Sequence, residues 1–305
     1  MKHIKWTAKD IPQQNGHTFL ITGTGGLGFE AALALSHAGA EVIVAGRNQQ
    51  KGTEAVGAIR SAVPSAKIRF EQVDLANLAS IRAFGQRLQN QLQSLDVLIN
   101  NAGIMATPTY QKTVDGFEVQ FATNFLGAVA LTAQVMPLLR RTSGSRVVMV
   151  SSKIADNAKI DFDDLQSSFN YKPIRAYAQS KLADLIFALE LQRRSQAGGW
   201  GVLGLAAHPG IASTDLITNG PGKGSLFAFL LKVLGFLVQS PAQGSLPLLF
   251  AATSNNAAGG SYYGPDKFGG VRGHPTEAKI PAPALDQTIA SRLWDKAQSL
   301  TGASF

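Results

Sequence analysis

His17-Thr-Phe-Leu-Ile-Thr22-Gly-Thr-Gly-Gly-Leu-Gly28 is the stretch on which the fold turns. Its first half is short and apolar and reads as a buried strand. Glycines at 23, 25, 26 and 28 follow at once. Glu30 to His37 then reads as a helix closed by Gly39, and Glu41-Val-Ile-Val-Ala45 as the next strand. Strand, glycine turn, helix, strand is the βαβ unit of a nucleotide-binding fold. Glycines let such a chain turn tightly and let backbone N–H groups approach a pyrophosphate, with the helix N-terminus facing the anion. A glycine-rich turn without a ligand carries the same pattern, so the rest of the chain must decide.

The alternation continues outward. Helices are predicted over Gln49–Ser61, where Pro64 ends the pattern, Leu78–Gln91 with Asn77 as N-cap, Phe117–Arg140 and Ile174–Arg194. Strands are predicted over Lys67–Val73, Leu95–Ile99, Ser145–Val150 and Val202–Ala207. Gly259 to Gly273 interleaves glycine with aromatics and reads as a late strand and loop. Repeated βα units of this length imply an α/β, doubly wound parallel sheet with helices on both faces. No Pro/Ser-rich linker, charge run or repeat divides the chain. It is expected to be a single domain over 1–305, with an N-terminal arm at 1–16, a substrate lid at 211–240 and a C-terminal extension at 265–305. Ligands of such sheets bind beyond the carboxyl ends of the strands. Those ends carry the glycine turn, Arg47, Asp74, Asn100-Asn101, Ser151-Ser152 and Pro209-Gly210, so polar or special residues recur along one edge.

The composition narrows the function classes. Of 305 residues, 45% are hydrophobic and 16% charged, which fits a globular protein and excludes a disordered one. The formal net charge is +8, but its basic residues are spread, with no Lys/Arg block, zinc finger or aromatic-basic signature. Nucleic acid is therefore not an expected partner. An anionic, phosphorylated cofactor accounts for only a few of these charges. There is no cysteine, which excludes disulfides and thiolate-ligated metals. The five histidines show no His-Glu-x-x-His-like spacing, so no metal site is expected. Met1–Gln14 lacks an apolar core of the secretory type, and Leu226–Val238, interrupted by Lys232 and Gly235, falls short of a spanning helix. A cytoplasmic setting is the expectation. A peripheral membrane contact through the Leu226, Phe229, Leu230, Val233 and Leu237 stripe, with Lys223 and Lys232 near lipid phosphate, is a second reading of that segment beside helix packing.

Within the helix predicted at Ile174–Arg194, Tyr177 and Lys181 are four residues apart and project from one face. A free phenol has a pKa of about 10, and a neighbouring cation lowers it. The pair then suits proton exchange with a carbonyl or alcohol.

These motifs together resemble the short-chain dehydrogenase/reductase superfamily: Thr22-Gly23…Gly26-x-Gly28, Asp74-Leu75, Asn100-Asn101-Ala102-Gly103, Asn124, Ser152, Tyr177-x-x-x-Lys181 and Pro209-Gly210. Asp115-Gly-Phe-Glu118, Ala176-Tyr-Ala-Gln-Ser-Lys-Leu-Ala183, Ala207-His-Pro-Gly210 and the insert with Phe162-x-Asp-Leu165 look like the retinol-dehydrogenase-like and protochlorophyllide-reductase-like branch. The resemblance implies an oxidoreductase that moves hydride between nicotinamide and a carbonyl or alcohol, and the Leu-, Phe- and Val-rich stretch from Ile211 to Gln239 points to an apolar ketone, aldehyde or alcohol. It implies Tyr177 as general acid/base and Lys181 as the residue that lowers its pKa and holds the nicotinamide ribose. Ser152 would polarise the substrate oxygen, in preference to Ser151, and Asn124 would hold a relay water. The phosphate loop would be Gly23, Thr24, Gly26, Leu27 and Gly28. Asp74, Leu75, Asn101, Ala102 and Gly103 would lie along the cofactor's adenosine side and body. Pro209, Gly210, Ile211 and Thr214 would lie at the carboxamide, Thr214 doubling as an N-cap candidate. The resemblance also implies pairing through the helices at Phe117–Arg140 and Ile174–Arg194, which a C-terminal extension can alter, leaving monomer and homo-oligomer both open.

One departure stands out. The family's loop is Thr-Gly-x-x-x-Gly-x-Gly, and Thr22–Gly28 is one residue shorter. Either Gly25 and Gly26 permit a tighter turn, or the cofactor geometry is altered. The second strand ends Val44-Ala-Gly-Arg47-Asn48 with no acid. An acid there would bind a ribose 2′-hydroxyl and repel a 2′-phosphate, whereas Arg47, with Asn48 and Lys51 beside it, suits the phosphate. NADP(H) is the expected cofactor, with NAD(H) the alternative. Two other readings stay open: a cofactor-recycling epimerase or dehydratase on the same fold, and a non-catalytic nucleotide sensor.

Overall fold

A computed structural model of the chain describes residues 5–212 and 238–305. The strands are β1 (Thr18–Thr22), β2 (Glu41–Gly46), β3 (Lys67–Gln72), β4 (Val97–Asn100), β5 (Ser145–Val150), β6 (Val202–Ala207), β7 (Tyr262–Lys267) and β8 (Arg272–Glu277). They form one sheet in the order β3-β2-β1-β4-β5-β6-β7-β8. Every neighbouring pair from β3 to β7 is parallel, with Thr22 opposite Ala45 and Asn100 opposite Met149. The exception is β8, which returns antiparallel on β7. The Gly259–Gly273 region is therefore half of a hairpin edge. The expected doubly wound parallel sheet is present, with one antiparallel strand added at its edge, because the short Phe268–Val271 turn leaves no room for the crossover that a parallel partner needs.

The helices are α1 (Gly26–His37), α2 (Gln49–Ala62), α3 (Leu78–Gln91), α4 (Val119–Leu139), α5 (Pro173–Gly198), α6 (Leu246–Thr253) and α7 (Gln287–Thr301). Side chains alternate along β1: Leu20 joins the core beneath α3, α4, α5 and α7, while Phe19 and Ile21 join the core beneath α1, α2 and α6. The interiors of the central strands β1, β2, β4 and β5 are accordingly apolar on both faces, whereas the outer strands β3 and β8 carry partly exposed polar residues. Asn48 and Asn77 cap α2 and α3 by accepting from backbone N–H groups, Asn77 as the sequence predicts. Among the described residues one helix, α4, is long and apolar enough to cross a membrane, and 83% of its most apolar window is buried in this core.

The N-terminal arm is more than a polar lead. Trp6 packs edge-on to Phe250 of α6 at 5.4 Å, and its carbonyl lies 3.1 Å from His274 Nδ1 on β8. Most of the expected lid, the membrane-facing stripe and Thr214 fall at residues 213–237, outside the described residues.

Candidate active site

The glycine turn resolves the question of its missing residue. Helix α1 starts at Gly26 rather than at Glu30, so the turn between β1 and α1 is three residues long. Gly23 and Gly26 take φ values of +98° and +50°, which favour glycine. A Cβ on Gly28 would strike the Gly23 carbonyl. The tighter turn is thus made by the glycines themselves, and the N-terminus of α1 opens at the carboxyl end of the sheet. Thr24 lies against Gly46, and Leu27 against Gly244, so the loop spans from the end of β2 to the chain beyond β6. Arg47 and Asn48 are exposed at the end of β2. Asn48 is engaged as the cap of α2, through Lys51 N at 2.9 Å, while no ion pair holds Arg47 among the described residues.

Behind the turn, Thr22 Oγ1 accepts from Asn101 N and Ala102 N, both at 3.0 Å, and Asn101 Nδ2 donates to the Thr22 carbonyl at 2.8 Å. Asn101 thereby clamps the end of β4 to the end of β1. Asp74 caps its own turn, with Oδ1 accepting from Ala76 N at 2.9 Å. Leu75 is buried, its carbonyl against Gly127 of α4. Beyond β6, Ile211 N donates to the Val271 carbonyl at 2.9 Å and Gln239 N to the Ile211 carbonyl at 2.9 Å. Gln239 also donates from Nε2 to the Pro209 carbonyl and accepts from Gly273 N, which fixes the Pro209–Gly210 bend. Gln239 was not singled out from sequence, because its role depends on a non-local strand edge.

The residues expected to react converge between β4, β5 and α5. Ser151 and Ser152 leave β5 in opposite senses. Ser151 is buried and donates to the Lys181 carbonyl at 2.6 Å; Ser152 lies beside the Tyr177 phenol and favours its charged form. Tyr177 and Lys181 are both buried on the inner face of α5. Lys181 Nζ donates to the Val150 carbonyl at 2.9 Å and to Asp184 Oδ2 at 2.8 Å. A Cβ on Gly103 would sit 3.2 Å from Asn124 Oδ1 and 3.5 Å from Lys181 Nζ, so bare backbone passes beside both groups. Asn124 lies in a π turn, Ala122–Leu126, inside α4. Its Oδ1 accepts from Ile104 N at 2.8 Å, and its Nδ2 donates to the Ile104 carbonyl at 3.0 Å and to Ser180 Oγ at 2.9 Å. Both amide hydrogens are therefore spent on protein. Asn124 ties α4, the β4 loop and α5 together.

The electrostatics differ from the expectation of a phenol lowered by its lysine. Burial raises the Tyr177 pKa most strongly; Lys181 and Ser152 pull it down, Asp184 opposes them, and the net position is above the ordinary phenol value. Burial also disfavours the Lys181 ammonium, but Asp184 and Tyr177 outweigh it and hold the lysine above its ordinary value. Asp184 is pushed up to about 7 by burial, against the pull of the ammonium. The sequence reading passed over Asp184, although an acid three residues after Lys181 on one helix was a legible signal.

Branch-like residues around the site have structural posts. Asp115 accepts from Leu78 N at 2.8 Å, and Glu118 caps α4 through Gln120 N and Phe121 N at 2.9 and 2.7 Å. Gln179 holds the insert, accepting from Asp161 N at 2.8 Å and donating to the Leu165 carbonyl at 3.1 Å. No cluster of metal-ligating side chains occurs among the described residues.

A doubly wound sheet with a glycine turn, and a buried Tyr-Lys pair at its carboxyl edge, defines a nucleotide-dependent oxidoreductase architecture. The short chain dehydrogenase family model matches residues 17–221, and the chain belongs to that family, in its retinol-dehydrogenase-like branch. Polyprenol dehydrogenase of Mus musculus is 38% identical over 300 residues, covering 96% of this chain and 86% of its own. Retinol dehydrogenase 14 of Homo sapiens is 36% identical over 309 residues, covering 94% and 87%. A solved structure of a functionally uncharacterised protein from Mycobacterium paratuberculosis superposes with a TM-score of 0.82 at 37% identity, covering 99% of both chains. The protein is accordingly an oxidoreductase acting on CH–OH or C=O groups with a nicotinamide cofactor. The residues present fit that cofactor: the glycine turn admits no Cβ at Gly28, an exposed guanidinium stands at the end of β2, and bare backbone passes Lys181 at Gly103.

Proposed function

We propose that the protein is an NADP(H)-dependent oxidoreductase of apolar ketones or aldehydes and the corresponding alcohols. The observation that carries this reading is the buried Tyr177 phenol, beside Ser152 and flanked by the Lys181 ammonium at the carboxyl edge of the sheet. Bound nicotinamide supplies or accepts the hydride. In reduction, Ser152 and Tyr177 donate to the carbonyl oxygen, and the Tyr177 proton passes to that oxygen as it becomes an alkoxide. Lys181 stabilises the phenolate left behind. Asn124 acts by positioning Ile104 and Ser180 at the floor of the site. Arg47, exposed at the end of a strand that lacks an acid, supports a 2′-phosphate. The names of the relatives, which speak of retinol and polyprenol, support an apolar alcohol as substrate. The segment 211–240 is proposed as the cover of the substrate pocket and the setting as cytoplasmic, with peripheral lipid contact the alternative.

The test is NADPH fluorescence loss against a panel of apolar ketones and aldehydes, with NADH in parallel. Wild type turns over, faster with NADPH than with NADH at equal low concentration. Tyr177→Phe loses about 10²–10⁴-fold in rate while it binds NADPH within a few-fold of wild type. Turnover undiminished by Tyr177→Phe would remove the mechanism, and faster turnover with NADH would remove the cofactor preference.

A further inference from the structure

Lys181 and Asp184 form an ion pair at 2.8 Å with side chains only 5% and 2% exposed. A pair so deeply buried costs several kcal/mol in desolvation per ion, which its attraction repays only with good geometry and full hydrogen bonding. That condition is not met on the acid's side. Asp184 Oδ1 is buried with no hydrogen-bond partner among the described residues, whereas Oδ2 holds Lys181. An apolar residue at this position would pack without that cost. The carboxylate is therefore poorly explained as a stabilising element of α5.

Its geometry explains it better. Two of the three ammonium hydrogens of Lys181 are directed to the Val150 carbonyl and to Asp184, which fixes Nζ under the end of β5 beside Gly103 and Tyr177. The other ionisable groups packed around the pair offer no substitute. Tyr262 of β7 is buried behind Ser151, and its hydroxyl is held neutral by burial. His208 at the end of β6 is held neutral as well. Lys153 and Asp156 after β5 pair with each other. Within this cluster only Asp184 offers a negative charge in contact with Lys181.

We propose that Asp184 is the fixed counter-charge of Lys181, a positioning residue that keeps the ammonium charged and aimed beneath Tyr177, and so sets the upper pH at which the Tyr177–Lys181 pair can deliver a proton. The inference rests on the reading of these two residues as the reacting pair. Its physical content is simple. Burial works against the ammonium, and without Asp184 only Tyr177 opposes it. The pair then gives up its first proton at lower pH, whichever of its two members loses it. Reduction needs both protons in place, so its alkaline limb moves to lower pH.

The experiment compares wild type, Asp184→Asn and Asp184→Glu over the alkaline limb of carbonyl reduction with saturating NADPH. In parallel, the substrate-free proteins are titrated with Lys181 followed by the Cε resonance of ¹³C-labelled lysine and Tyr177 by tyrosinate absorbance, assigned against Lys181→Met and Tyr177→Phe. Asp184→Asn, which keeps the shape, shifts the limb down by about one pH unit and lets the pair lose its first proton about tenfold more readily. Asp184→Glu, which changes the shape but keeps the charge, leaves the limb within a few tenths of a unit of wild type even where kcat falls. A structural role predicts the reverse ranking: a benign Asn, a damaging Glu and no moved limb. An Asp184→Asn protein whose limb and titration match wild type overturns the proposal. So does a wild-type Lys181 that titrates below the exposed lysines, a measurement that needs no variant to fold. Failure of the functional reading is separable, because it shows as turnover indifferent to Tyr177→Phe while the substrate-free titration still reports on Asp184.

Discussion

Two adjacent serines show what one residue's direction decides. A strand turns successive side chains to opposite faces, so Ser151 and Ser152 at the end of β5 cannot share a role. Ser151 spends its hydroxyl on the Lys181 carbonyl inside the core, while Ser152 meets the Tyr177 phenol. Ser152→Ala should lower kcat by about 10²-fold or more, with the melting temperature nearly unchanged, because it removes a donor aimed at developing charge. Ser151→Ala should do the opposite. It leaves a buried carbonyl short of one donor, costs on the order of 1–2 kcal/mol in thermal unfolding, and keeps kcat within a few-fold. Equal kcat losses in the two variants would contradict this division. The sequence favoured Ser152 from motif position alone. The Tyr-Lys pair was legible because its helical spacing is local. Asn124 was singled out from its motif, but its bonds were not legible, since Ile104 and Ser180 reach it from two other elements. Asp184 was present in the sequence at readable spacing, yet its significance depends on burial, which a motif does not state.

At the scale of elements, apolar runs and caps carry boundaries well where the signal is local. Leu78–Gln91, Ser145–Val150 and Val202–Ala207 form as the residues predict. The start of α1 does not, because glycines were read as turn residues, while Gly26 to Gly28 are the first turn of the helix. The end of β6 carries a less visible feature. His208 accepts from Gly210 N at 3.2 Å, lies tilted against the Tyr262 ring at 5.1 Å, and leaves no room for a side chain at position 264. Burial, with Lys153 assisting and Asp156 opposing, pushes its pKa down to about 4 from the ordinary 6.5. The unfolded chain therefore takes up this proton first as pH falls. The neutral ring's contribution to stability is complete above about pH 6.5 and is lost as the pH drops from there towards 4. Asp184, raised to about 7, works in the other direction, since its buried carboxylate is relieved as it is protonated below that pH. His208→Asn removes the first effect and leaves the second. Measured by thermal unfolding between pH 7 and pH 5, the variant should gain on wild type by on the order of 2 kcal/mol, a few degrees, as the pH is lowered. A constant offset across that range would mean that His208 takes up its proton as readily in the folded protein as in the unfolded chain.

Across the whole molecule, the C-terminal extension is the part the sequence left unread, since the helix Gln287–Thr301 has no motif and its partners lie about a hundred residues earlier. It packs across α4 and α5, the two helices through which the family resemblance implied pairing, so association through those faces would require α7 to move. Trp294 is the centre of this contact. It stacks on Phe187 at 5.2 Å and 15°, meets Phe305 at 4.5 Å, and carries the Arg194 guanidinium at 4.7 Å. Phe187 in turn lies on Phe125 of α4, one residue from Asn124, so an aromatic chain runs from the C-terminus to the back of the site. Trp294→Ala should cost about 3–5 kcal/mol by loss of transfer energy and opening of a cavity. Its effect on chemistry should be far smaller, because Lys181 and Tyr177 lie about 1.7 and 2.8 helical turns from Phe187 and Lys181 is held by the end of β5 rather than by α7. Calorimetry and initial rates on the same preparation separate the two. The expected result is a melting temperature lower by several degrees, with kcat at 25 °C within a few-fold of wild type. A large loss of kcat in a variant still folded at that temperature would mean that the extension holds the reacting pair in place, and that the site is shaped by the whole chain rather than by the sheet edge alone.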